Sequence, residues 1–234
     1  MNTINNTPVV QCIDLTKTYV QGLIEVHALS HINFEAHTGE FICLSGPSGS
    51  GKSTLLNMIG GLDTPSSGEV YIDGEEIDEL NKSELADMRL NKIGFVFQAY
   101  NLIPVLTAQE NIEMVMQMQG ITKHKRNKIS LDILKEVGLE NLENRKPTEL
   151  SGGQQQRVAV ARAIASKPSL VLADEPTANL DSVTANKLID LMLEMNKQHS
   201  TTFIISTHDP MIMQRAKKLI KMHDGKIADV INQE

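Results

Sequence analysis

The eight residues from position 46 to position 53 constrain this chain more than any other part of it. They read Gly-Pro-Ser-Gly-Ser-Gly-Lys-Ser and match the phosphate-loop pattern G-x-x-x-x-G-K-[ST] at every fixed position. A short apolar run precedes them and a helical pattern follows over residues 54–59, which is the context the pattern requires. Glycines allow successive backbone N–H groups to turn toward phosphate oxygens, and the helix start adds partial positive charge. The sequence therefore predicts that the protein binds a nucleoside triphosphate.

Two side chains of this loop have predicted roles of their own. We expect the Lys52 ammonium to reach the β- and γ-phosphates and the Ser53 hydroxyl to bind Mg²⁺. The predicted nucleotide cradle comprises Gly46, Pro47, Ser48, Gly49, Ser50, Gly51, Lys52, Ser53 and Thr54.

A pair of carboxylates follows a second apolar run, Leu170-Val-Leu-Ala-Asp174-Glu175. Neighbouring residues of a strand point to opposite sides, so the two carboxylates serve different partners. We expect Asp174 to bind Mg²⁺, directly or through water. Glu175 is then the candidate base that polarises the attacking water. Asp-Glu pairs are common at strand ends. The presence of a phosphate loop in the same chain is what indicates a catalytic role for this pair.

Composition excludes several classes of protein. The chain has 234 residues, with 22 Lys and Arg against 29 Asp and Glu, and its net charge of −7 argues against a nucleic-acid partner. No run approaches the roughly 18 apolar residues that cross a bilayer. The first eight residues lack the basic and apolar regions of an export signal, and two cysteines are too few for a disulfide framework. We expect a reduced, cytosolic protein.

The order of apolar patterns indicates an α/β protein. Strand-like runs fill the first third, residues 99–167 have helical spacing, and strand signals return at 170–173 and 203–206. Asp224-Gly225 predicts a hairpin turn near the end. We expect one domain over residues 1–234, with a core of about 1–98 and 168–234 and a helical subdomain of about 99–167. The basic residues 123–128 are expected in a solvated turn between two helices.

The sequence Leu150-Ser-Gly-Gly-Gln154 runs into an alanine-rich helical segment. Ser151 is a suitable N-cap, and the two glycines leave backbone amides uncovered for an anion. Taken alone, this pattern favours an ordinary capped helix after a flexible turn. The pentapeptide is, however, the signature of the ATP-binding-cassette ATPases, and the chain resembles that family from about residue 9 to its end.

The resemblance implies a P-loop NTPase core with an antiparallel β subdomain and an inserted helical subdomain. It implies hydrolysis of ATP with Mg²⁺, by a homodimer that encloses two ATP molecules. By position, Tyr19 corresponds to the ring that stacks on adenine, Gln98 to the loop glutamine that senses Mg²⁺ and the γ-phosphate, and His208 to the histidine that contacts the γ-phosphate. The loop at residues 179–181 corresponds to one at the dimer interface. The residues that would complete the opposite subunit's site are Ser151, Gly152, Gly153 and Gln154.

Within the family, residues 25–29, 85–98 and 173–181 resemble the macrolide-exporter and lipoprotein-release branch. This implies a separate integral-membrane permease as partner, and a place on the cytoplasmic face of the cell membrane. One alternative is a non-transport regulator of a cell-division or cell-wall machine, acting through a permease-like partner. A DNA-repair type of ATPase is disfavoured, because no sustained heptads lie between Lys52 and Ser151.

The resemblance also implies that a helix of the permease docks beside the Gln98 loop. Tyr100 and Leu102 belong to an apolar segment there and are predicted to face the partner. On the following helix, Met114 and Met118 are predicted to share an outward face, or else to be buried. The inward face is expected to carry Ile112, Val115 and Met116.

Overall fold

The computed structural model describes residues 7–22 and 24–233. Residues 1–6, 23 and 234, which the predicted domain of 1–234 includes, lie outside the described residues. The prediction that the first eight residues are not an export signal also rests in part on residues 1–6, which lie outside the described residues.

The described part of the chain contains ten strands and seven α-helices. The strands are β1 Val10–Gln21, β2 Ile24–Ala36, β3 Phe41–Ser45, β4 Ser67–Ile72, β5 Glu75–Glu76, β6 Ile93–Val96, β7 Leu170–Asp174, β8 Thr202–Ser206, β9 Lys218–His223 and β10 Lys226–Asn232. The helices are α1 Lys52–Ile59, α2 Lys82–Lys92, α3 Ala108–Met118, α4 Lys123–Glu136, α5 Gly152–Ala165, α6 Ser182–His199 and α7 Pro210–Arg215.

The strands form two sheets. The first is antiparallel, with the order β2-β1-β4-β5, and corresponds to the antiparallel subdomain that the resemblance implies. The second has the order β10-β9-β3-β8-β7-β6 and is parallel from β9 to β6. The strand β10 pairs antiparallel with β9 across Asp224-Gly225, and so the predicted hairpin is confirmed.

The parallel sheet is covered on both faces, as the continuous apolar run of β3 predicts. Phe41 and Cys43 point into a core cluster shared with α3, α4, α5 and α6. Ile42 and Leu44 point into the other cluster, which includes α1 and the antiparallel sheet. Cys12 and Cys43 are both unpaired and buried. Burial raises the pKa of the Cys43 thiol to about 12, with Glu175 as the second cause.

Parallel pairing brings four carboxyl ends of strands to one edge of the sheet. At that edge β3 leads into the phosphate loop and β6 leads toward Gln98. The strand β7 ends at Asp174, and β8 leads toward His208. The fold thereby assembles residues from four distant parts of the chain.

The helices α3, α4 and α5 fall within the segment predicted to be helical, but one local prediction is wrong. Residues 123–128 form the first turns of α4 instead of a connecting turn. The chain reverses earlier, at Gly120, which has φ +76°. Lysine and arginine are good helix formers, so a basic run outside the core readily starts a helix.

Among the described residues, no helix is both long and apolar enough to span a membrane.

Candidate functional site

A cavity of about 690 Å³ opens at the carboxyl edge of the parallel sheet. It brings together the phosphate loop with Gln98, Glu175 and His208, as predicted. The full lining is Val26, His27, Ala28, Gly46, Pro47, Ser48, Gly49, Ser50, Gly51, Lys52, Ser53, Thr54, Gln98, Glu175, Ala178 and His208.

The backbone of the phosphate loop requires glycine at two crowded points. Gly51 has φ +99°, and a Cβ there would lie 2.6 Å from the carbonyl oxygen of Ala28. Gly46 has φ +153°, and a Cβ there would collide with the carbonyl oxygen of Met222. Side chains are therefore excluded where the loop curls, which leaves a concave backbone surface ahead of α1.

Two polar side chains of the loop favour an anion inside this concave surface. Lys52 is buried, and its Nζ donates to the carbonyl oxygens of Gly46 at 2.8 Å and Pro47 at 3.0 Å. The Ser50 hydroxyl is also buried, and it has no hydrogen-bond partner among the described residues. A buried cation and an unpartnered hydroxyl fit a phosphate group that would accept hydrogen bonds from both.

The predicted Mg²⁺ ligands Ser53 and Asp174 are in contact. Ser53 Oγ donates to Asp174 Oδ1 at 2.9 Å, and the Ser206 hydroxyl donates to the same oxygen. A hydroxyl and a carboxylate beside a phosphate cradle supply the oxygen ligands that Mg²⁺ prefers. No group of three or more His, Cys, Asp or Glu side chains in residues 7–22 and 24–233 is arranged so that it could hold a metal ion without other ligands. This is compatible with Mg²⁺, which usually keeps waters and substrate phosphates as its other ligands.

Glu175 and His208 form a close pair at the edge of the cavity. His208 Nδ1 lies 3.1 Å from Oε1 and 3.0 Å from Oε2 of the carboxylate. The carboxylate is 19% exposed and the imidazole 73% exposed, so the histidine covers the glutamate from the solvent side. Glu175 has φ +45°, and its N–H donates to Ser206 Oγ at 3.0 Å. Glu175 is thus held in a backbone conformation that non-glycine residues seldom adopt.

Gln98 lies in the loop after β6, opposite the loop that follows Glu175. Asn179 Nδ2 donates to the carbonyl oxygen of Gln98 at 3.0 Å and so connects the two loops. Both loops reach the same cavity, and Gln98 and Ser53 are both part of its lining.

The residues of the signature do not line this cavity in the part of the chain that the structure describes. Ser151 caps α5, since its Oγ accepts the N–H of Gln154 at 3.3 Å and its N–H donates to Gln154 Oε1 at 2.9 Å. A Cβ on Gly152 would approach the Tyr100 hydroxyl at 2.8 Å, and one on Gly153 would collide with Thr184. The helix start is formed as predicted, but away from the phosphate loop of its own chain.

Tyr19 is also not part of the described cavity lining. Its hydroxyl donates to Asp63 Oδ2 at 2.8 Å, and Lys17 Nζ lies 4.8 Å from the centre of its ring. Burial and then the interaction with Asp63 raise the pKa of Tyr19. The structure leaves the predicted stacking on adenine untested.

Sequence reasoning missed Val26 and His27, which do line the cavity. They belong to β2, and Val26 pairs with Tyr19 in the register of the antiparallel sheet. Neither valine nor histidine is typical of a nucleotide site, so residue type gave no indication of this position. Only the pairing of β2 with β1 could have indicated that these two residues lie beside the phosphate loop.

A second depression, which we call the lateral groove, has a volume of about 460 Å³. It lies between α2, β6, α3 and the end of α5. Its lining is Leu62, Ala86, Arg89, Leu90, Ile93, Gly94, Phe95, Phe97, Asn101, Met114, Val115, Met118, Arg162, Ala163 and Ser166.

The outward face of α3 differs in part from its prediction. Met114 and Met118 line the lateral groove, and Met118 is 66% exposed, as the outward interpretation required. Val115 also lines the groove, whereas it was expected to point inward with Ile112 and Met116. Positions 114, 115 and 118 lie on one side of a helix, and the core needs only the narrower stripe opposite.

Tyr100 and Leu102 are both half-buried and are not part of the described lining of the lateral groove, and their predicted contact with a partner stays a prediction. Leu102 packs against the core cluster of the helical segment. The hydroxyl of Tyr100 points to Gly152 at the start of α5. The carbonyl oxygens of Tyr100 and Asn101 accept hydrogen bonds from Arg162, at 3.1 and 2.6 Å, which turns this loop toward the protein.

Comparison with known proteins gives the family. The family described as ABC transporter matches residues 29–178. The uncharacterized ABC transporter ATP-binding protein MJ0796 of Methanocaldococcus jannaschii is 46% identical over 218 residues, which is 92% of this chain and 93% of that protein. The uncharacterized ABC transporter ATP-binding protein Rv0986 of Mycobacterium tuberculosis is 42% identical over 231 residues, or 99% of this chain and 93% of that protein.

Solved structures agree. The dimeric post-hydrolysis state of the ATP-binding cassette MJ0796 with ADP and Pi has a TM-score of 0.89 and 43% identity, covering 96% of this chain and 99% of that one. The structure of cbiO1 from Clostridium perfringens, part of the ABC transporter complex cbiONQ, has a TM-score of 0.87 and 30% identity, covering 97% and 89%. The family match, the sequence identity and the shared fold together show that this chain is an ATP-hydrolysing cassette that belongs to the ABC transporter family.

Proposed function

We propose that the protein binds ATP with Mg²⁺ and hydrolyses it as one half of a homodimer that drives a separate membrane permease. The observation that carries this proposal is the cavity lined by Lys52, Ser53 and Glu175, with Asp174 hydrogen-bonded to Ser53 beside it. These groups are what a phosphoryl transfer to water needs: a cation for the phosphates, oxygen ligands for Mg²⁺ and a base.

The phosphate loop binds and orients the substrate. Its backbone N–H groups and the Lys52 ammonium hold the β- and γ-phosphates, and the Ser50 hydroxyl gains a partner when an anion fills the loop. Ser53, Asp174 and Gln98 would hold Mg²⁺. When bound, that ion neutralises phosphate charge and fixes the γ-phosphoryl group for in-line attack.

Glu175 accepts a proton from the attacking water in this scheme. Both of its oxygens now contact His208, so one of them must be released before it can hold a water. His208 is exposed and lies on the same cavity as the phosphate loop, so it is free to turn toward the γ-phosphate. That rotation would free the base and add a hydrogen-bond donor to the phosphate.

The homodimer follows from the position of the signature. Ser151, Gly152, Gly153 and Gln154 form a capped helix start suited to an anion, yet they stand apart from the cavity of their own chain. Joining two chains would bring this helix start to the partner's phosphate loop. The comparable cassette MJ0796 has been solved as a dimer, which supports the same arrangement here.

We further propose that the permease is of the macrolide-exporter and lipoprotein-release type and docks in the lateral groove. The groove combines half-buried Met114 and exposed Met118 with aromatic rings, a surface that adapts to an apolar helix. It adjoins the Gln98 loop through Phe97, so docking and hydrolysis would be coupled. In this proposal residues 99–167 act as a helical subdomain, and the protein lies on the cytoplasmic face of the membrane.

Co-purification with the permease tests this partner. We expect Met114→Gln combined with Met118→Gln to lose the permease while retaining basal ATPase activity and melting temperature. Leu131→Gln is the matched control, because Leu131 is an exposed apolar residue of α4 outside the groove. A double variant that still captures the permease would contradict docking at the groove. Vesicles containing the complex then separate transport from the regulatory alternative, because only a transporter moves cargo when ATP is hydrolysed.

A further inference from the structure

One fully buried side chain connects the two loops that carry Glu175 and Gln98. Gln156 lies on α5 and is 0% exposed. Its Nε2 donates to the carbonyl oxygen of Pro176 at 2.7 Å and, more weakly, to that of Phe97 at 3.4 Å. Pro176 directly follows Glu175, and Phe97 directly precedes Gln98. A single amide group therefore holds the carbonyl oxygen of the residue after the proposed base and that of the residue before the proposed Mg²⁺ sensor.

We propose that Gln156 is a positioning residue for ATP hydrolysis, which sets the place of Glu175 relative to Gln98 without touching the substrate. It is absent from the described lining of the cavity, so its effect must pass through the two carbonyl oxygens that it binds.

The other end of the same amide supports a role beyond packing. The Oε1 atom of Gln156 is buried and has no hydrogen-bond partner among the described residues. Leaving a buried acceptor unpaired is unfavourable, and an apolar side chain of the same length would avoid this cost. The glutamine therefore fits the site through its donor end alone.

The unusual backbone conformation of Glu175 explains why a hydrogen bond from Gln156 is needed nearby. Glu175 has φ +45°, a conformation that persists in a non-glycine residue only when its surroundings impose it. On one side the Glu175 N–H is held by Ser206. On the other side Gln156 holds the carbonyl oxygen of Pro176, which lies one peptide beyond the bond that joins Glu175 to Pro176. Without the second contact, the backbone can relax and move the carboxylate away from the position of the water.

A second contact links the same two loops from the solvent side. Asn179 donates to the carbonyl oxygen of Gln98, while Gln156 donates to the preceding carbonyl from within the core. The two loops are therefore fixed to each other from both sides. Of these two contacts, the one made by Gln156 also connects both loops to α5, the helix that begins in the signature sequence.

Replacing Gln156 by methionine tests the proposal, since the side chain keeps its length and loses its donor. We expect Gln156→Met to lower kcat about 10-fold or more, because small misplacements of reacting groups cost up to about 100-fold. The KM for ATP should stay within about twofold, since the phosphate loop does not contact Gln156. The stability control is Val160→Ala on the same helix, because Val160 is buried in the apolar core cluster. It should lower the melting temperature and leave kcat unchanged below that temperature.

The variant Gln156→Glu should show a pH dependence of kcat that a packing role for Gln156 would not produce. The protonated acid donates to the Pro176 carbonyl, whereas the carboxylate repels both carbonyl oxygens. Burial raises the pKa of such an acid toward the assay range. The kcat of Gln156→Glu relative to the unaltered protein should therefore be highest at low pH and fall as pH rises.

Two results would overturn the proposal. One is a Gln156→Met protein that keeps the kcat of the unaltered protein. The other is a Gln156→Glu protein whose relative kcat does not depend on pH at temperatures where it is folded. The second variant serves if Gln156→Met does not fold.

Discussion

Lys52 and Glu175 line one cavity but act at different stages of the proposed reaction, binding and hydrolysis. Lys52 is a buried cation whose hydrogen bonds within residues 7–22 and 24–233 go to carbonyl oxygens of its own loop, so a phosphate would supply the counter-charge that this part of the chain does not. Glu175 is an acceptor facing the same space. At the scale of single residues, the two roles are therefore separable by substitution.

Glu175→Gln should keep ATP binding and lose most turnover, because an amide cannot accept the proton of the attacking water. Loss of a general base typically costs about 10²–10⁴-fold in rate. Lys52→Ala should instead raise the Kd for ATP. Equilibrium binding of nucleotide and release of phosphate are measured on both variants. A Glu175→Gln protein with near-normal turnover would remove Glu175 from this role.

At the scale of elements, α6 begins directly after the loop that follows the two carboxylates. Asp181 caps this helix, and its Oδ1 accepts the N–H groups of Val183 at 3.1 Å and Thr184 at 3.0 Å. The Thr184 hydroxyl donates to Oδ2 at 2.6 Å. These hydrogen bonds, with that of the Thr184 hydroxyl the largest cause, lower the pKa of Asp181. The cap therefore fixes the end of a loop that the resemblance places at a dimer interface.

A lowered pKa means that the charge of Asp181 stabilises the fold above the pKa of the unfolded chain and stops doing so as pH falls through the folded-state pKa. Asp181→Asn keeps an acceptor and removes the charge, so it should destabilise the protein less than Asp181→Ala. Urea unfolding without nucleotide is measured from pH 7 downward. The difference between the unaltered protein and Asp181→Asn should be steady to about pH 5 and shrink below about pH 4. A difference that shrinks between pH 7 and pH 6 would assign the effect to another group.

Elements with a strong local pattern were predictable from the sequence, and the contacts between distant elements were not. The phosphate loop is contiguous, and Asp174 and Glu175 stand at the end of an apolar strand, so pattern indicated these sites, whereas His208 was identified through the family resemblance. Gln156 was missed because helical spacing indicates only that it is buried. Its two partners lie 20 and 59 residues away along the chain.

The positions of some side chains relative to the site depend on how distant segments pair, which the periodicity of apolar residues does not indicate. His27 reaches the cavity because β2 folds back on β1 and passes beside the phosphate loop, where the Ala28 carbonyl fills the space over Gly51. Tyr100 was expected at the surface from its apolar neighbours. It is half-buried, and Arg162 binds its carbonyl oxygen, a contact that no local pattern contains.

At the scale of the whole molecule, each chain holds a phosphate cradle and a separate capped helix start that faces no phosphate of its own. Two chains arranged head to tail would satisfy both surfaces at once, with ATP between them. Like charges oppose this association, since each chain carries a net charge of −7. Bound nucleotide must therefore supply contacts that outweigh the repulsion, and its hydrolysis should let the chains separate.

Glu175→Gln should accordingly form a stable dimer with ATP and Mg²⁺ and remain a monomer without nucleotide, because bound ATP is not consumed. The mass in solution is measured by light scattering after size exclusion at moderate salt, which screens the repulsion. Glu194→Gln is the charge-matched control: it removes the same charge from an exposed position of α6, retains turnover and should yield no lasting dimer. Glu175→Gln combined with Lys52→Ala should also stay monomeric, because binding is lost. A strictly monomeric Glu175→Gln protein at saturating ATP would contradict a site shared between two chains.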